Sequence, residues 1–138
     1  MPRRRLVLCC LSLLPMGCAD RLPTNPATYS ARGKVYLDGT PVRYGRVCLV
    51  PFESSHGAHC WGNIGPDGGF ALRTFTDDDG AVPGDYKVYI EPYSPAVNGP
   101  VNGKATVIPK RYQDPETSPL TLTIVDDGSE LPPLRLER

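Results

Sequence analysis

Between Gly33 and Phe52 the chain alternates in a period of two. Gly33, Val35 and Leu37 fall on one face, with Lys34 and Tyr36 on the other. This predicts a first strand over Ala31 to Leu37. Asp38-Gly39 follows, a strong short turn signal, with Pro41 just beyond it. From Gly45 to Phe52 the alternation resumes, placing Val47 and Leu49 on the core face and Cys48 and Val50 opposite. Pro51 removes a ladder donor, so the strand ends or lies at an edge there. The stretch therefore reads as strand, tight turn and strand, a hairpin whose register later strands extend.

The rest of the chain repeats this pattern. A polar loop over Glu53 to Ala58 leads to a strand near His59 to Gly65, and Pro66-Asp67-Gly68-Gly69 forms a second turn into Phe70, Ala71, Leu72 and Arg73. After the loop Thr76 to Pro83, Tyr86, Val88 and Ile90 alternate with Lys87, Tyr89 and Glu91 until Pro92. Ser94 to Val107 is rich in Pro, Gly and Asn and reads as a long, mobile loop. Ile108 to Tyr112 is a short apolar-tipped segment, and Asp114 to Pro119 allows at most one helical turn. Leu120, Leu122 and Ile124 then alternate with Thr121, Thr123 and Val125, Asp127-Gly128 turns, and Leu134 and Leu136 close the last strand. About seven strands at such spacings predict an all-β, Greek-key β-sandwich.

Composition agrees. The 138 residues include 16 prolines and 14 glycines and are 40% hydrophobic, enough for one modest core. No long window after residue 20 shows a 3.6-residue apolar period.

The first 17 residues have the parts of an export signal: basic MPRRR, an apolar run from Leu6 to Met16, and Gly17 before Cys18. The run is too short to span a bilayer as a helix. Leu14-Pro15-Met16-Gly17-Cys18 resembles the lipobox of bacterial lipoproteins, although Pro15 stands where that motif usually has Leu. The resemblance implies lipidation of Cys18 and anchorage in a membrane. A plain secretory signal cleaved nearby is the other reading, and Arg3-Arg4 before Leu6-Val7 faintly resembles a twin-arginine signal. The organisation expected is a signal peptide over 1–17, a lipidated Cys18 with an extended, mobile tether over 18–30, and a β-sandwich over 31–138. Removal of Arg3, Arg4 and Arg5 leaves 12 basic residues against 15 acidic ones. No run of basic residues survives and no basic residues are interleaved with aromatics, so no nucleic-acid partner is expected.

The phrases Gly33-Lys34-Val35, Asp38-Gly39-Thr40-Pro41-Val42, Val47 with Pro51, Pro66 to Leu72, and Pro83-Gly84-Asp85-Tyr86-Lys87-Val88 together resemble the carboxypeptidase regulatory-like domain. Ile108 to Tyr112, with Thr117-Ser118-Pro119-Leu120 and the closing strands, is similar to the version in small predicted lipoproteins of planctomycete bacteria. The resemblance covers nearly all of residues 31 to 138 and implies a transthyretin-like Greek-key sandwich. Its motifs are turn and core residues, which speak for fold and hardly for function. This chain has Ile64-Gly65 where the family often has Thr-Asp, so its second turn must be held in another way.

Candidate chemistry is sparse. Cys48 and Cys60 lie on predicted strands joined by a short loop, and in an exported chain they are expected to form a disulfide, the alternative being two free thiols. His56, His59 and Cys60 match no common zinc spacing and read as a polar loop. Asp77, Asp78 and Asp79 lack EF-hand spacing and read as a solvated loop. No metal or cofactor is therefore expected. There is no Gly-x-Ser-x-Gly elbow, and the only two histidines share one loop. The chain also ends without the Tyr-Arg-Gly-Ser of the transthyretin-like hydroxyisourate hydrolase. Tyr36, Trp61, Tyr89 and Tyr93 remain as a candidate binding surface for a sugar or a protein.

The expectation is a non-catalytic envelope lipoprotein that is structural or adhesive and binds an envelope protein or glycan. The competing class is an accessory that holds a carbohydrate or small molecule with the Ser94 to Val107 loop. A hydrolase is the remote alternative.

Overall fold

A computed structural model describes residues 24–128 and 130–138, so Cys18 and the segment expected to be an export signal lie outside the described residues. The elements are β1 (Arg32–Leu37), β2 (Thr40–Pro41), β3 (Arg46–Pro51), β4 (Cys60–Asn63), β5 (Gly69–Ala71) and β6 (Gly84–Glu91). They are followed by a single helical turn α1 (Pro95–Asn98), a 3-10 turn over Lys110–Tyr112, β7 (Thr121–Ile124) and β8 (Leu134–Leu136). The chain is an all-β sandwich. One sheet is antiparallel throughout in the order β4-β3-β6-β7. In the other, β1 pairs antiparallel with β2 and β5 and parallel with β8.

The period of two sorts each strand's residues between core and surface. Val35 and Leu37 of β1, Phe70 of β5, and Leu134 and Leu136 of β8 face inward from one sheet. Val47 and Leu49 of β3, Tyr86, Val88 and Ile90 of β6, and Leu122 and Ile124 of β7 meet them from the other. Ile108, just before the 3-10 turn, and Tyr112, its last residue, drop into the same cluster, which explains the apolar tips of an otherwise polar connection. Burial of this continuous apolar surface is the main stabilising contribution.

Gly33 to Phe52 is not a single hairpin. Asp38 and Gly39 both have positive φ, 49° and 80°, as a two-residue type I′ turn requires. The strand that returns, β2, lasts only two residues. Val42 is then fully buried, and Tyr44 and Gly45, with φ of 63° and 121°, carry the chain across the sandwich to become β3. A Cβ at Gly45 would lie 2.8 Å from the Glu91 carbonyl oxygen, so the corner needs glycine for both its φ and its closeness. A turn signal is local: it reverses the chain without fixing how long the pairing lasts.

The expected disulfide is also absent: Cys48 and Cys60 are free, buried thiols. In the β3–β4 ladder Cys48 is opposite Trp61, and Cys60 is opposite Leu49. One residue of register separates them, and the pleat turns adjacent positions to opposite faces. Cys60 therefore joins the core while Cys48 lies on the outer face.

Two further segments are better ordered than the sequence suggests. Tyr29 and Ala81 exchange backbone hydrogen bonds of 2.9 and 3.0 Å, so Tyr29 and Ser30 belong to the fold and not to the tether. The Ser94 to Val107 loop is strapped down at several points. The Tyr44 hydroxyl donates to the Asn102 carbonyl at 2.6 Å, the Tyr93 hydroxyl to the Gly99 carbonyl at 2.8 Å, and the Thr106 amide to the Arg43 carbonyl at 2.9 Å.

The Pro66 to Gly69 turn is held by its own aspartate. The Asp67 carboxylate accepts the Gly69 N–H at 3.0 Å, and the Gly65 N–H donates to the Gly69 carbonyl at 2.8 Å. Gly69 with the nearby Lys34 ammonium holds the Asp67 carboxyl below its usual range. Ile64, just before this turn, is buried in the core.

Candidate binding face

The outer face of the β4-β3-β6-β7 sheet is laid out in cross-strand rows. Asn63, Arg46 and Glu91 form the first row, Trp61, Cys48 and Tyr89 the second, and Val50, Lys87 and Thr121 the third. The sequence alternation that buries Val47, Val88 and Ile90 puts these residues outward.

Trp61 is the centre of the upper half. The Arg46 guanidinium carbon lies 4.0 Å from its ring centroid and that of Arg73 lies 4.7 Å away, both within cation–π distance. Arg73 reaches Trp61 because the two residues exchange backbone hydrogen bonds of 3.1 and 2.8 Å, which join the two sheets along one edge. Each arginine is also held by a carboxylate: Arg46 by Glu91 at 3.8 Å and Arg73 by Asp77. Arg46 further donates to Asn63 Oδ1 at 3.3 Å, and Asn98 of α1 donates to the same atom at 3.0 Å, which docks the helical turn beside the row. The result is a half-exposed indole in a rigid frame of charged side chains.

Below it, Cys48 is chemically quiet. Burial, aided by the Glu91 carboxylate, pushes its thiol up to about 12. Burial, with Cys48 next in importance, likewise pushes the Tyr89 hydroxyl up to about 12. A thiol that stays protonated at neutral pH is a poor nucleophile.

The four aromatics expected to form one surface do not. Trp61 and Tyr89 share a row on either side of Cys48. Tyr36 is on the outer face of the other sheet, opposite Arg135, whose guanidinium carbon is 5.5 Å from its ring. Tyr93 packs at 6.0 Å from the Tyr44 ring and ties down the loop beyond α1.

The two polar clusters have local roles. Asp79 accepts backbone N–H groups of Thr74, Phe75 and Thr76 at 2.7, 2.9 and 3.1 Å, so its carboxylate staples the loop. Asp77 is paired with Arg73. His56 and His59 are exposed in the β3–β4 loop, and among the described residues no group of His, Cys, Asp and Glu side chains could hold a metal ion.

A groove of about 630 Å³ opens at the lower edge of the same face, with Val50, Pro51 and Phe52 as its floor and Lys87, Pro115 and Glu116 along one wall. Sequence reasoning did not single out Phe52, Lys87, Arg46 or Arg73. Alternation along β3 and β6 carries a signal for Arg46 and Lys87, which share a face with Tyr89. Arg73 and Glu116 arrive from connections, and nothing in the local sequence places them here.

Comparison with known proteins returns no match: no family model, no curated protein and no solved structure.

Proposed function

We propose that this chain is an exported, lipid-anchored envelope module of the carboxypeptidase regulatory-like, transthyretin-like type. It is non-catalytic and holds an envelope protein or glycan on the outer face of its β4-β3-β6-β7 sheet. The observation that carries the binding reading is the Trp61–Cys48–Tyr89 row framed by Arg46 and Arg73. It combines half-exposed aromatic surface with side chains already fixed by ion pairs, so little conformational freedom is lost on contact. The unreactive thiol, and the lack of any nucleophile–base arrangement in the sequence, favour binding over turnover.

The anchor reading rests on the basic and apolar N-terminal segment and on Gly17-Cys18. Lipidation places more than one acyl chain on Cys18, as stable anchoring requires. Among the described residues, Tyr29 is the first paired into the fold. Residues 18 to 28 would then span roughly 35–40 Å at most, at about 3.3–3.6 Å per residue. That reach lets the domain stand clear of the bilayer with its sheet face accessible.

Intact-mass measurement of the chain recovered from the membrane fraction tests the anchor. The reading requires an N-terminus at Cys18 carrying acyl mass, and an unmodified mature chain beginning elsewhere would refute it.

A further inference from the structure

We propose that the groove beside Phe52 is a recognition site for a cationic segment of a partner protein, one that sets a lysine or arginine next to an apolar side chain. This deepens the partner-binding reading, on which it rests, by naming the ligand's chemistry and its position on the face.

The groove's own side chains show what it accepts. Its floor is apolar: Val50, Pro51 and the half-exposed ring of Phe52, with Pro115 on the wall. Its rim is acidic. Glu53 and Glu116 line it, and Asp85 continues it past Thr121 and Thr123. Lys87 is the one basic side chain among these lining residues. Its ammonium is 5.9 Å from the Phe52 ring centroid and 3.9 Å from Glu116 Oε1. An ammonium group thus already lies between an aromatic face and a carboxylate, the arrangement in which cation–π attraction and charge pairing add.

Lys87 does not use up the site. The lining holds one ammonium against three carboxylates in number, and the Glu116 side chain remains 80% exposed. Glu53 is exposed at the groove mouth, while Asp85 accepts the Thr123 hydroxyl at 2.6 Å. The residual negative charge favours a cationic ligand over an anionic one, and the apolar floor favours a chain segment over a bare ion. Pro51 and Pro115 have no N–H to offer, so recognition here runs through side chains and not through strand addition. Lys87 acts as an internal competitor that an incoming cation displaces.

The full chain is titrated by calorimetry at low salt with a capped tripeptide of lysine, leucine and lysine, alongside the glutamate counterpart and a neutral trisaccharide of N-acetylglucosamine. Lysine peptide binding is expected to weaken about tenfold or more in the Glu53→Gln/Glu116→Gln double variant and to fall with added salt. In Lys87→Ala it should tighten severalfold, an effect that a loss of folding cannot imitate. Preference for the trisaccharide, indifference to the two glutamates, or weaker binding in Lys87→Ala would each overturn the proposal. So would an absence of peptide binding in both the unsubstituted chain and Lys87→Ala. Trp61→Ala distinguishes failure of the groove from failure of the face: partner capture that needs Trp61 but comes without peptide binding refutes the groove and leaves the binding face standing.

Discussion

Cys48 and Cys60 are on neighbouring strands one residue out of register, so one thiol faces the outer surface and the other the core. A bond between them would require the β3–β4 ladder to slip by one position. That slip would turn every side chain of one strand to the wrong face, with Cys60 leaving the core and Trp61 entering it. The protein is therefore expected to have the same electrophoretic mobility with and without reductant, and to take up two alkyl groups at these thiols only after denaturation. A reductant-sensitive link between Cys48 and Cys60 would contradict the register.

Two buried thiols and the hydroxyls of buried Tyr86 and half-buried Tyr89 make the fold sensitive to alkali. Burial is the leading cause that raises Cys48 and Cys60 from 9.0, and Tyr86 and Tyr89 from 10.0, in each case to about 12. In the folded chain these groups hold their protons where the unfolded chain loses them. Their contribution is fully present below pH 9.0 and is lost as pH rises from there towards about 12. Urea midpoints measured across this range should fall steadily, with a shallower fall in Cys48→Ala. A flat profile above pH 9.0 would contradict the burial of these groups.

Gly62 occupies the core side of β4 where the β5 backbone passes closest. A Cβ there would sit 2.3 Å from the Ala71 carbonyl oxygen and 2.9 Å from its carbon, and backbone cannot yield as a side chain can. Gly62→Ala is expected to cost about 3 kcal/mol or more, read as a shift of the denaturation midpoint. Tolerance of the substitution would mean that the two sheets are not joined along the Trp61–Arg73 edge.

Asp79 holds its loop through three backbone N–H groups. Burial pushes its carboxyl up, but these donors and Arg73 outweigh that and keep it below the usual range. Its contribution is present above the unfolded value of 3.8 and is lost as pH falls below it. Asp79→Ala should cost roughly 1–2 kcal/mol near neutrality, the scale of losing a charge-assisted staple, and proteolysis within residues 74–80 should quicken. Unchanged cleavage there would contradict the role.

Much of the fold was legible because strand alternation is a local property: the boundaries of β1, β3 and β6 follow from where Val, Leu, Ile and Tyr recur. Partnership was less legible, because it is set by register and by chain reversal across the core. Asp38-Gly39 announces a turn, but the burial of Val42 and the corner at Tyr44 and Gly45 decide that β1 and β3 occupy different sheets. Alternation along β3 correctly puts Cys48 opposite the core. Where Cys60 points depends on its pairing with Leu49, which no stretch of sequence near Cys60 encodes. The candidate site divides in the same way: Trp61 and Tyr89 come from regular strands and could be named, while Arg73, Glu116 and the docking of α1 depend on tertiary contacts.

On the proposed function, the β4-β3-β6-β7 face, and not the face bearing Tyr36, meets the partner. The decisive measurement is capture from envelope extract and from a glycan array by the protein, compared with its Trp61→Ala, Tyr89→Ala and Tyr36→Ala variants. Trp61→Ala and Tyr89→Ala are expected to lose the captured partner while Tyr36→Ala retains it. Loss with Tyr36→Ala, together with full capture by the other two, would contradict it.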